Sequence, residues 1–198
     1  MKTKAGKHRC SWVPHDDVLY QKYHDEVWGV PEHDDTRLFE KLTLDGAQAG
    51  LSWRTILYKT ENYKKAFDNF DIEKVAKYDE CKVAELMQNE GIVRNKLKIE
   101  SAIKNARAIL QIQEDFGSFD KYLWGFVDGK TIINNPVNIH EIPSESNVSR
   151  IISRDMKKRG MSFVGPTIIY AFMQAIGMVN DHEIDCWRRQ ELLALDSR

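Results

Sequence analysis

Three sets of residues in this chain could do chemistry. The first centres on a carboxylate. If the helix that begins near Asp34 and Asp35 runs on, Leu38, Leu42, Asp45 and Ala49 share one face, which puts an acid on the core-facing stripe. A carboxylate taken out of water without donors or a cation is costly, and its pKa rises; such positions are enriched in functional sites. The plainer alternative is that Gly46 and Gly50 end the helix early and leave Asp45 as a solvated C-terminal residue.

The second set is aromatic. Between Cys10 and Trp53 the chain gathers Trp12, Tyr20, Tyr23, Trp28 and Trp53, including three of its five tryptophans. Rings with polar edges can grip a flat base, each stacked base contributing about 1–3 kcal/mol, and tryptophan faces attract a cationic ring. Such clusters also serve as ordinary core. In the third set, His182 and Cys186 are spaced i, i+4, on one side of a helical turn, which suits two ligands of a tetrahedral zinc. Cys10 and His24 could complete a set of two cysteines and two histidines. The intervening spacings match no common zinc finger, so four unrelated residues remain the alternative. Cys81, in a helical stretch with no nearby histidine, reads as a core or surface thiol.

Helices must position these groups. From Lys98 onward Ile99, Ala102, Ile103, Ala106 and Leu110 recur at helical spacing. A second stripe, Val148, Ile151, Ile152 and Met156, stops at Gly160, and a third, Ile168, Ala171, Phe172, Ala175 and Ile176, has Pro166 in its first turn and Gly177 at its end. Shorter helical patterns cover 34–45, 61–68, 72–78 and 80–90, and only 130–133 reads as a strand, so the fold class is all-α. The second and third stripes flank residues 159–165, with Gly160 and Gly165 near its ends. This is a helix-hairpin-helix candidate whose backbone N–H groups could receive a phosphate, or else an ordinary αα-turn. Arg150, Arg154, Lys157, Lys158 and Arg159 outnumber Asp155 beside it, an excess of positive charge.

The bulk composition bounds the function. The chain has 198 residues, 42% hydrophobic and 30% charged, enough for one compact unit or two joined lobes, and no apolar run reaches membrane length. Lys and Arg total 29 against 30 Asp and Glu, which argues against a highly basic, sequence-indifferent nucleic-acid coat. Three cysteines, an odd number, and a lysine-rich N-terminus without the apolar stretch of a secretory signal point to a reducing cytoplasm.

Six runs in unbroken order carry a resemblance. They are Arg9-Cys10-Ser11-Trp12, residues 23–31 from Tyr23 to Pro31, Gln48-Ala49-Gly50-Leu51-Ser52-Trp53, residues 91–96, residues 157–165, and Val179-Asn180-Asp181-His182. Together they resemble the type I 3-methyladenine DNA glycosylases over residues 9–187, with 1–8 set apart as a flexible N-terminus and 188–198 as a C-terminal tail. The resemblance implies a helix-hairpin-helix architecture of two helical lobes with the hairpin at about 148–177, a lesion pocket between the lobes, and a structural zinc held by Cys10, His24, His182 and Cys186 that joins the chain ends. It further implies that Trp12, Tyr20, Tyr23, Trp28 and Trp53 surround a base flipped out of double-stranded DNA. Gly50 and Leu51 would fill the gap, and the stretch with Gly160, Gly165 and Thr167 would hold the phosphate backbone.

The implied activity is base excision repair by a monomeric, monofunctional glycosylase that hydrolyses the N-glycosidic bond of 3-methyladenine and leaves an abasic site. No lysine stands where helix-hairpin-helix glycosylase-lyases carry their Schiff-base nucleophile. One position departs from the family pattern: the base-contacting carboxylate is usually Glu, whereas Asp45 occupies it here. Its oxygens fall about 1.5 Å short of a glutamate's, so contact with the base is expected directly or through a water. The alternative reading is a catalytically silent module that binds damaged DNA without hydrolysis, for which Asp45 would be the reason.

Overall fold

A computed structural model of the chain describes residues 7–196. Those residues form α1 (Val18–Glu26), α2 (Asp35–Gln48), α3 (Trp53–Ala66), α4 (Ile72–Ala76), α5 (Glu80–Gln88), α6 (Lys96–Phe116), α7 (Phe119–Trp124), α8 (Asn147–Lys158), α9 (Pro166–Ala175) and α10 (Trp187–Asp196). Two short strands, β1 (Ile132–Ile133) and β2 (Val179–Asn180), pair in parallel. The chain is mostly helical, as the apolar stripes predict.

Helix starts follow from local chemistry. Asp34, Ser52, Asp79, Asn95 and Ser146 each accept a hydrogen bond from the N–H three residues on, which satisfies a donor the helix leaves open. The longest helix, α6, begins at Lys96 rather than Lys98, buries Ile99, Ala102, Ile103 and Ala106, and ends at Gly117 in the left-handed region. It packs against α4, α5 and α7. Helix α2 packs against α3, α6, α7 and α9. It does not stop at Gly46.

Several expectations are corrected. Ile151, counted in the stripe of α8, is 53% exposed, because the buried face is centred on Ser149, Ile152, Ser153 and Met156, and Ile151 lies about 100° around the helix from Ile152, on the side away from Ser153. The short helices α1 and α7 and the strand β2 carry no pattern that predicts them. Residues 188–196 of the expected tail are helical. Of the expected flexible N-terminus, residues 1–6 lie outside the described residues, while the His8 carbonyl accepts a hydrogen bond from the Trp187 N–H at 2.9 Å. No helix among the described residues is long and apolar enough to cross a membrane.

Gly177, at the end of α9, presses on the segment that joins α1 to α2. Its φ is +74°, and a Cβ there would lie 2.4 Å from the Pro31 nitrogen and 2.5 Å from the Val30 carbonyl carbon. Gly160 has a similar φ of +84° but open space around it. Gly177→Ala is therefore expected to lower stability by roughly 3 kcal/mol or more, and Gly160→Ala by only about 1–2 kcal/mol. Urea unfolding of both variants checks this; equal losses would contradict it.

Candidate functional site

One cavity of about 300 Å³ is walled by all five rings singled out in the sequence, together with Asp45. Helix α1 brings Tyr20 and Tyr23, α2 brings Asp45 and Gln48, α3 brings Trp53, and α9 brings Ala171 and Gln174. The rings meet edge-on or tilted: Trp12 lies 4.9 Å from Trp28 and 5.8 Å from Tyr20 between ring centroids, and Tyr23 lies 4.9 Å from Trp53. Asp45 is only 5% exposed, and its Oδ2 is buried without a hydrogen-bond partner, as is the Trp53 Nε1–H. An acceptor and a donor thus stand unsatisfied at one aromatic cavity, the condition a polar flat ligand would relieve.

Behind Trp12 and Trp28 lies the second predicted cluster. Cys10, His24, His182 and Cys186 are all buried, with their donor atoms within 4.8 Å of one another. Cys10 Sγ is 3.4 Å from His182 Nδ1, and Cys186 Sγ is 3.4 Å from His24 Nε2 and 3.5 Å from His182 Nδ1. A tetrahedral zinc with Zn–S about 2.3 Å and Zn–N about 2.0 Å requires S···N edges of about 3.5 Å, so the donor set fits that ion. The outward imidazole nitrogens are held as metal ligands require: His24 Nδ1 lies 2.9 Å from Asp25 Oδ1, and His182 Nε2 lies 3.2 Å from the Trp28 carbonyl. Asp25 in turn accepts two 2.8 Å hydrogen bonds from Arg9, and despite burial these and His24 hold it below the usual carboxylate range. The hydrogen bond from the Cys10 thiol pulls the Cys186 thiol far down, with His182 and His24 adding to it, so a thiolate is favoured there. Cys81 is exposed and apart.

The remaining predicted residues lie outside the cavity. Gly50 and Leu51 are exposed in the turn between Gln48 and Trp53, both of which line it. Lys98 fixes that turn by donating to the carbonyls of Ala47 and Ala49 at 2.8 and 2.6 Å. In the 159–165 turn, Ser162 exchanges two hydrogen bonds with the Asn105 side chain, and the Phe163 Cβ lies 3.3 Å from where a Cβ on Gly46 would sit. Gly165 caps α9 without a side-chain partner for the first-turn N–H groups, and Thr167 is exposed beside it. The expected positive excess is smaller than the sequence suggests. Arg159 is paired with Asp155 and Asp115, and Arg150 with Glu145, which leaves Arg154, Lys157 and Lys158 without ion pairs among the described residues.

The sequence model of the methyladenine glycosylase family matches residues 12–189. The chain belongs to this family. DNA-3-methyladenine glycosylase 1 of Escherichia coli (strain K12) is 47% identical over 178 residues, which span 90% of this chain and 95% of that relative. The fold is similar to a crystal structure of 3-methyladenine DNA glycosylase I with a TM-score of 0.88 at 47% identity, covering 91% of this chain and 98% of that one. A 3-methyladenine DNA glycosylase I from Staphylococcus aureus, solved for its recognition of 3-methyladenine, superposes with a TM-score of 0.86 at 36% identity over 88% of this chain and 93% of that one.

In this methyladenine glycosylase chain, the structure also places residues at the cavity that sequence reasoning missed. Gln174 Nε2 donates to Asp181 Oδ2 at 2.7 Å, and Asp181 also receives Tyr170 and Asn134 at 2.8 and 2.7 Å. An ionised carboxylate only accepts, so it fixes the Gln174 amide with its oxygen left free at the cavity it lines. The available signal was an amide set within the otherwise apolar run from Ile168 to Ile176.

Burial raises Asp45 to about 7, with the Lys41 charge pulling the other way, and burial lowers Lys41 to about 8. Because the folded value of Asp45 lies above its ordinary 3.8, the folded state binds more protons than the unfolded chain between these two values. Stability therefore falls as pH rises through that window, and the ionised carboxylate is a standing cost above it. Asp45→Asn is expected to stabilise the protein by roughly 2–4 kcal/mol at pH 8 and to have little effect near pH 4. Urea unfolding at the two pH values checks this, and a variant no more stable at pH 8 would contradict it.

Proposed function

We propose that this protein is a monofunctional DNA repair glycosylase that takes a flipped 3-methyladenine into the aromatic cavity and hydrolyses its N-glycosidic bond, leaving an abasic site. The observation that carries the reading is the unpaired Asp45 carboxylate at a cavity walled by Trp12, Tyr20, Tyr23, Trp28 and Trp53. Relatives at 44 and 47% identity are DNA-3-methyladenine glycosylases. Methylation at N3 of a purine nucleotide makes the base a cation. Its glycosidic bond is thereby weakened, and strong acid catalysis is not required.

The rings stack on the extruded cation, while Asp45 accepts a hydrogen bond from the exocyclic amine, directly or through a water. The electron pair of the breaking bond goes to the base, which leaves neutral. Water forms the new bond to the anomeric carbon and loses a proton to solvent, with DNA phosphates and Asp45 stabilising the oxocarbenium-like charge. A base with a carbonyl in place of the exocyclic amine would face the Asp45 and Gln174 oxygens without a proton to share, and would be refused.

The rest of the molecule serves the duplex. Helices α8 and α9 act as a helix-hairpin-helix: Gly160, Gly165 and Thr167 bring the uncapped N–H groups of α9 to a phosphate, with Arg154, Lys157 and Lys158 nearby. Gly50 and Leu51 occupy the space the flipped nucleotide leaves. Cys10, His24, His182 and Cys186 hold a structural zinc that cross-links the chain ends and supports two helical lobes with the cavity between them. The protein acts as a cytoplasmic monomer.

Incubation with methylated duplex DNA should release 3-methyladenine, identified by chromatography, without strand cleavage before alkali treatment. Asp45→Asn should slow release by roughly 10–100-fold. Lesion-dependent binding with no release at micromolar protein would instead identify a silent damage-binding module. For the metal, elemental analysis should give close to one zinc per chain. Cys186→Ser should lose it and melt at lower temperature; zinc kept in Cys186→Ser but lost in Cys81→Ser would overturn the assignment.

A further inference from the structure

Lys41 stands one helical turn before Asp45 on α2, so both side chains leave the same face. It is 6% exposed and makes no hydrogen bond or ion pair among the described residues. Its ammonium lies 5.3 Å from the centre of the Tyr23 ring. Tyr23 and Trp53 form a partition. They line the base cavity on one side and a second cavity of about 150 Å³ on the other, and Lys41 belongs to the second.

The neighbouring charges do not neutralise Lys41 by contact. Glu40 is engaged by Arg37 and, at 3.8 Å, by Lys64 of α3, while Glu32 lies near Arg37 at 3.8 Å. Lys22 of α1, at the rim, is 3.9 Å from Glu26. Asp45, which lines the base cavity, is a buried carboxylate whose Oδ2 has no hydrogen bond; the other such oxygen, Asp17 Oδ2, is ion-paired with Arg54 at 3.0 Å.

We propose that Lys41 is a positioning residue that acts through the Tyr23 partition, keeping Asp45 ionised in the empty cavity and releasing its own proton to water in the second cavity when a cationic purine enters. The proposal rests on the base-excision reading above. An empty cavity holding Asp45 as an anion and Lys41 as a cation carries no net charge. An arriving cation takes over the compensation of Asp45 and repels Lys41, so the ammonium becomes the group that gives way. When the neutral base leaves, Lys41 takes a proton back. The shifts agree with this order, since Lys41 is lowered to about 8 by burial and Asp45 is held from rising further by Lys41.

The test is a carbon-13 titration of the Asp45 carboxyl in the wild-type protein, Lys41→Met and Lys41→Arg, paired with the pH profile of base release from methylated DNA. Lys41→Met should raise the Asp45 midpoint by about one pH unit or more, equivalent to at least about tenfold in ionisation, and move the acid limb of the profile up by the same interval. Lys41→Arg restores the midpoint but cannot release its proton, so affinity for lesion-bearing DNA should fall by about tenfold. A midpoint unmoved in Lys41→Met overturns the proposal, as does a Lys41→Arg protein that binds the lesion as tightly as wild type. Should Lys41→Met not fold, Lys41→Gln serves in its place. Base release by wild type with an unmoved midpoint defeats this inference alone. A shifted midpoint with no base release from wild type defeats the base-excision reading and with it the proton release, leaving only the coupling of Lys41 to Asp45.

Discussion

A carboxylate kept almost dry among indole and phenol rings is the constraint around which this molecule is arranged. Asp45 is 5% exposed and one of its oxygens has no protein partner, an arrangement that opposes folding. The surroundings hold it there. Helix α2 continues past Gly46, where the absence of a side chain admits Phe163, and Lys98 ties down the carbonyls at the helix end. A binding site that leaves acceptors unpaired trades folding stability for a preference that only the right ligand satisfies.

The walls opposite Asp45 are held from behind in layers. Trp12 lies 5.3 Å from the His24 ring and Trp28 4.6 Å from the His182 ring, both edge-on. The imidazoles are oriented by Asp25 and by the Trp28 carbonyl, and Asp25 by Arg9. The cysteine and histidine cluster and the aromatic cavity therefore share a wall, so what holds the imidazoles also sets where the indoles stand. Asp181 plays the corresponding part on the α9 side by fixing the amide of Gln174.

Much of this was legible in the sequence because it rests on periodicity and residue type. The stripe of α6 and the i, i+4 spacing of His182 and Cys186 follow from helical geometry, as does the face that Asp45 shares with Leu38 and Leu42 if α2 runs on. Pattern alone left Asp45 and the four cysteines and histidines undecided, because burial and the meeting of residues 10 and 186 are long-range facts. The positive excess beside residues 159–165 was overestimated for the same reason: Asp115 reaches Arg159 from another helix. Helix α1 escaped because only Tyr23 and His24 of its residues are buried, which gives no stripe to read. The order of the six motif runs supplied the family, which no single spacing could.

The distance along the chain between Cys10 and His182, 172 residues, also sets the order in which the molecule can be assembled. Contacts among α4, α5 and α6 are local and can form as soon as that stretch exists, and Trp12 can meet Tyr20, His24 and Trp28 early, whereas the His182 ring that backs Trp28 lies 154 residues further along the chain. During synthesis the contacts of Trp12 therefore precede the seating of Trp28 on His182. A chain still short of residue 182 carries the Trp28 ring without its His182 contact, so the cavity wall that Trp28 forms gains this backing late.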